Sequence, residues 1–117
     1  MKKLFILSLF YFITQVSFSQ VYVNDVNINE KAGKYIQLVG VNTSLFGTKY
    51  KIYVDYGQKV KNFKTYKIKD ANGNVKKFNT MMDALNFMYD NGWDFVNYNA
   101  EIIGGKVRNV YLLKRRE

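Results

Sequence analysis

"TMMDALNFMYDNGWDFV" runs from Thr80 to Val96, and its reading decides the fold. On a helical wheel Met81, Ala84, Leu85 and Met88 share one stripe, with Met82 and Tyr89 along its edge. Asp83, Asn86 and Asp90 fall opposite, and Phe87 lies on the polar flank. That is the pattern of a helix with one face on a core. Thr80 suits the N-cap, and Asp83 three residues later completes a weaker form of the capping box. Asn91-Gly92 ends the helix. With Gly92 left-handed at C′, Trp93 becomes C″ and meets Met88 at C3, the hydrophobic pair of a Schellman ending. The Gly-Trp step therefore has an architectural account. Stacking of Trp93 on a sugar or base is the sharper alternative, but a lone Trp after a C-cap glycine is more often core.

Downstream, Trp93–Ile103 reads as a strand, Gly104-Gly105 as a two-residue hairpin turn, and Lys106–Arg116 as the returning strand. Upstream, residues 65–78 read as a hairpin, with Asn72-Gly73 supplying the residues that tolerate positive φ. Lys49–Gly57 has a clear period of two. Tyr50, Ile52, Val54 and Tyr56 share one face; Lys49, Lys51, Tyr53 and Asp55 share the other, as in a half-buried antiparallel strand. Tyr35–Val41 is an apolar, β-branched strand. Residues 42–47 read as a turn and 57–64 as a connection. Asn29–Lys34 reads as a loop turning at Gly33, and Val21–Asn29 as a short first strand or extended arm. The expected fold is α+β: a mostly antiparallel sheet of about five strands with one helix on one face, in the order β-β-β-β-α-β-β.

The first twenty residues, "MKKLFILSLFYFITQVSFSQ", carry the features of an export signal. Lys2 and Lys3 give a positive start, residues 4–13 an apolar run, and Ser17 and Ser19 small residues at a cleavage position before Gln20. A spanning helix needs about 20 apolar residues, and Thr14, Gln15 and Ser17 interrupt this run too early. We therefore expect residues 1–19 to be a signal peptide and residues 20–117 a single small domain, periplasmic or secreted. The sequence has no cysteine. No lipid-modified Cys can follow the signal, and no disulfide can staple the domain. It has no histidine either, which removes Ser-His and Cys-His nucleophile systems and leaves a conventional zinc or haem site almost nothing to bind. No cofactor and no metal site are expected.

The formal net charge is +9. Its excess is concentrated between Lys49 and Lys77, where nine lysines face only Asp55 and Asp70. The candidate contacts for an anionic partner, interleaved with aromatic rings, are Lys49, Lys51, Tyr53, Lys59, Lys61, Lys64, Lys67 and Lys69. The plainer reading is a solvated face that keeps a small domain soluble. All nine bases are Lys rather than Arg, which favours diffuse attraction over bidentate recognition. Thr80, Asp83, Met88, Gly92 and Trp93 are assigned structural roles.

No two carboxylates have a catalytic spacing. Asp83 and Asp90 stand about 10 Å apart along the helix at 1.5 Å per residue, beyond a retaining pair, and both have structural explanations. Asp70, Asn72 and Asn74 alternate like calcium ligands, but the distal bidentate Glu is missing, so a hairpin turn fits better.

The segments "YIQLVGV", "YKIYVDYGQ", "DANGNVKKFNTMMDALNFMYDNGWDFV" and "YLLKRR" resemble those of an uncharacterised family of small exported proteins of Bacteroidota-type bacteria. Asp55-Tyr56-Gly57-Gln58 and Met82-Asp83-Ala84-Leu85-Asn86 fit its pattern, and the resemblance covers nearly all of residues 35–116. The helix-Gly-Trp-strand part also resembles a short bacterial module of unknown function. The resemblance implies export and fold, and brings no activity with it. The expected function is a non-enzymatic binding module contacting an anionic surface, glycan or acidic protein. The alternative is a cell-envelope enzyme or inhibitor working through carboxylates such as Asp55 with Asp94 or Glu101. Nucleic acid ranks behind both, since export removes the protein from it.

Overall fold

The computed structural model of the protein describes residues 20–42, 50–59 and 67–117. The expected signal, the turn after Asn42, most of the connection after Gly57 and the start of the 65–78 hairpin lie outside them. So do Lys49, Lys61 and Lys64.

The elements run β1 (Tyr22–Val23), β2 (Val26–Asn27), α1 (Ile28–Lys31), β3 (Tyr35–Asn42), β4 (Tyr50–Asp55), β5 (Ile68–Lys69), α2 (Met81–Asp90), β6 (Trp93–Ile103) and β7 (Lys106–Arg115). The fold is α+β and antiparallel throughout its ladders, but the expected count needs correcting. Among the described residues there are two helices rather than one, and seven strands form two sheets, ordered β2-β1-β5 and β4-β3-β7-β6. The single arm expected over residues 21–29 is a hairpin followed by a short helix. Asn24 and Asp25 turn the chain with φ of 51° and 61°, a conformation their short polar side chains tolerate. Asn27 then caps α1, its side chain accepting the Asn29 N–H at 3.1 Å.

The loop expected over Asn29–Lys34 instead begins inside α1, and Gly33 takes no positive φ. Of Asn72-Gly73 only Gly73 does, whereas the readings of the β6–β7 turn and of both ends of α2 hold. Gly104 and Gly105 both have positive φ and close the β6–β7 hairpin. Asp70 Oδ1 accepts the backbone N–H groups of Asn72 and Asn74 within the turn that joins β5 to Val75. At the start of α2, Thr80 Oγ1 accepts the Asp83 N–H at 3.1 Å. The Asp83 carboxylate reaches one residue further back than in the usual capping box and accepts from Asn79. At the other end Gly92 has φ +91° and donates to the Tyr89 carbonyl, the inner bond of a Schellman ending.

The register of the larger sheet sorts its two faces, because directly opposed residues share a side. The inner face carries Ile36 and Leu38 of β3, Val54 and Ile52 of β4, Leu113 and Tyr111 of β7, and Trp93 of β6. Helix α2 lies on this face with Met81, Ala84 and Met88 buried. Val23 and Ile68 of the smaller sheet, with Val21 just before it and Ile28 of α1, close the same core. At Gly40 a Cβ would run into the end of Met81, so the absent side chain lets the helix start close to β3.

Trp93 and Met88 are fully buried in that core. The Trp93 indole N–H reaches Asn29 Oδ1 at 3.4 Å, and the Arg115 guanidinium sits 5.4 Å from its ring centroid. Arg115 Nη2 also donates to the carbonyls of Ile28 and Ala32, capping α1 from across the molecule. Phe87, on the polar flank of α2, packs on Phe78 at 5.4 Å between centroids and lies under the Lys76 ammonium. Among the described residues no helix is long and apolar enough to cross a membrane.

Candidate functional site

The face of the larger sheet away from α2 is built in cross-strand rows. One row reads Lys51, Val41, Arg108, Glu101, and the next reads Tyr53, Val39, Val110, Asn99. An isolated bridge pairs Tyr53 with Lys67, which extends the second row outward past β4. This outer face is apolar along its middle and basic at its β4 end. Lys51, Lys59 and Lys67 are exposed, while Tyr53 is half-buried between the lysines and the fully buried Val39.

The candidate lysines do not all share one environment. Lys69 is tied to Asp25 at 3.1 Å. Lys51, Lys59 and Lys67 take part in none of the ion pairs among the described residues. Three lysine charges near one sheet edge without paired carboxylates make a small positive field in high dielectric, attractive over about 8 Å at physiological salt. The structural assignments have physical content as well: Thr80 and Asp83 hold the N-terminus of α2, and Gly92, Met88 and Trp93 hold its C-terminus and the entry to β6.

The carboxylates named for a catalytic pair do not converge. Asp55 lies on β4, whereas Asp94 and Glu101 lie on β6, three strand spacings or about 14 Å away. Each is also engaged. Asp55 accepts the Gly57 N–H at 2.9 Å, Glu101 pairs with Arg108 at 3.4 Å, and Asp94 accepts from Arg116 Nε at 3.0 Å. Arg116 lies over the Tyr89 ring at 4.3 Å, and its hydrogen bond to Asp94 holds its pKa above the ordinary value. A shallow hollow of about 590 Å³ lies over the β1–β2 turn and α1, lined by residues that include Asp25 and Glu30. Asp25 is held there by Lys69. Among the described residues no three metal-ligating side chains gather.

Two features escape a reading by period and motif. Asn29 and Arg115 look like ordinary loop and strand-end residues in the sequence, yet both connect the N-terminal unit to the larger sheet. The second is the exposure of β6. Phe95, Tyr98, Ile102 and Ile103 are large and apolar or aromatic, yet they are exposed by 53%, 45%, 79% and 57%. The signal that was available is the count of covering elements: one ten-residue helix cannot roof an eleven-residue strand at the sheet's end. No protein-family model, no curated protein and no solved structure matches this chain.

Proposed function

We propose that this protein is an exported, non-enzymatic binding module that contacts a polyanionic surface through the lysine edge of its outer sheet face. The observation that carries this reading is the placement of Lys51, Lys59 and Lys67. Lys51 lies on β4, Lys67 is bridged to that strand at Tyr53, and Lys59 follows four residues after its end. All three are exposed without paired carboxylates, while the two acids of β6 are each paired with an arginine. Export and the kinship described for residues 35–116 belong to the same proposal and rest on the sequence.

The test is binding to phosphatidylglycerol-containing vesicles and, in a separate arm, to polygalacturonate, each across a salt series. A lysine near an anionic surface is worth about 1 kcal/mol. The triple variant Lys51→Glu/Lys59→Glu/Lys67→Glu is therefore expected to bind on the order of 100-fold more weakly. Wild-type binding should fall steeply with salt. Negligible binding at low salt, or equal binding by the variant, would leave these lysines a solubilising role only. The arm that responds identifies the source of the anionic groups.

A further inference from the structure

We infer that β6 is the edge through which two copies of this chain pair, forming one continuous eight-stranded antiparallel sheet. β6 is the outer strand of its sheet among the described residues, and it is eleven residues long. Sheet edges are normally blunted by lysines, prolines or brevity, since an open edge recruits another strand. The opposite strand, β4, is short, carries Lys51 and is bridged by Lys67. β6 contains no Lys, no Pro and no Gly. Its two acids are neutralised from its own protomer, Asp94 by Arg116 and Glu101 by Arg108. What it offers outward is apolar: Phe95, Tyr98, Ile102 and Ile103.

A second copy fits this edge because the strand is complementary to itself in one register. The two-residue turn at Gly104-Gly105 makes Ile103 and Lys106 the closing hydrogen-bonded pair. Glu101 and Asn99 therefore bond toward β7, and the backbone groups of Tyr98, Ala100 and Ile102 point to the free edge. A twofold axis normal to the sheet must match those outward groups with one another, so it is centred on Asn99, Ala100 or Glu101. Centring on Glu101 opposes that carboxylate to its own copy. Centring on Asn99 pairs Ile102 with Val96, where the register shifts between Phe95 and Asn97. Centring on Ala100 uses the regular stretch from Asn97 to Ile103. It sets Tyr98 opposite Ile102 twice on the inner side and Asn99 opposite Glu101 twice on the outer side, with no like charges facing. The lysine edges of the two protomers then lie at the far ends of the joined sheet, where their repulsion is least.

The chain has no cysteine, so a single introduced thiol can bond only to a second copy. Directly opposed residues in a hydrogen-bonded antiparallel pair have Cα atoms about 5.5 Å apart, within disulfide reach. The Ala100→Cys variant is expected to form a disulfide-linked dimer under mild oxidation, at least about 10-fold faster than Asn97→Cys, whose positions on the two copies lie about 20 Å apart in this register. Sedimentation of the purified wild-type protein should give a dimer, and Ile102→Lys, at an exposed site, should weaken it by at least about 10-fold with Trp93 fluorescence unchanged. A wild type that stays monomeric, a dimer indifferent to Ile102→Lys, or equal cross-linking at Ala100 and Asn97 would each overturn the inference. None of these readouts depends on anion binding.

Discussion

At the scale of single residues, the close approach of β3 and α2 rests on an absent side chain. A Cβ at Gly40 would meet Met81 Sδ and Cε, and Met81 is buried at the first turn of α2. Gly40→Ala should therefore cost about 1–3 kcal/mol by overpacking. The atoms in the way belong to the end of a flexible chain, so shortening it should relieve the strain. Gly40→Ala combined with Met81→Ala is expected to cost less than the sum of the two single changes, as urea denaturation of the three variants would measure. Tyr111 makes a second test. Burial of its phenol, then the nearby Tyr98 and Tyr50, raise its pKa above 10.0. The folded protein thus keeps a proton that the unfolded chain gives up. Tyr111's share of stability is whole below about pH 10 and is lost as pH rises toward the folded value. Tyr111→Phe should flatten the decline in denaturation midpoint on the alkaline side, and an unchanged slope would count against this environment.

At the scale of elements, α2 is the best example of local chemistry sufficing. Thr80, Asp83 and Gly92 determine both ends of the helix through short-range hydrogen bonds and one left-handed residue, and all three are legible from spacing alone. Thr80→Ala is expected to cost about 1 kcal/mol, since it orphans the Asp83 N–H, and Thr80→Ser to cost little; thermal unfolding followed by circular dichroism would separate them. The β6–β7 hairpin was legible for the same reason, with Gly104-Gly105 imposing the turn. The β1–β2 hairpin was not, because Asn24-Asp25 is a weaker turn signal than a Gly-containing pair and the flanking strands have two residues each. The division into two sheets was hidden for a different reason. It depends on β5 leaving β4 after one bridge and pairing with β1, a long-range choice that no period in the sequence records. The lysine segment was visible as composition, but which of its members are paired was not, because Lys69 finds Asp25 across 44 positions of chain.

At the scale of the whole molecule, the question is whether the two sheets behave as one unit. Only an isolated bridge, Tyr53 with Lys67, joins their ladders among the described residues. The core argues for unity, since Val21, Val23, Ile28 and Ile68 of the N-terminal unit and β5 are buried with Leu38, Met88, Trp93 and Leu113. Arg115 reinforces it. Its guanidinium spans from the Trp93 ring to the Ile28 and Ala32 carbonyls, so one side chain at the end of β7 holds α1 against the larger sheet. Asn29 adds bonds to Asn91 and Trp93, tying the same helix to the end of α2. Arg115→Met keeps much of the apolar stem and removes the donors. Hydrogen bonds to a charged group are worth about 1.5–3 kcal/mol, and the loss should fall in that range. Because the core is shared, the loss should be global. Trp93 fluorescence and far-ultraviolet circular dichroism are expected to give coincident urea transitions in the wild type, and in Arg115→Met both should move together to lower urea. Transitions that separate in the variant would mean that the N-terminal unit opens on its own and that the shared apolar core is too small to bind the two sheets into one cooperative fold.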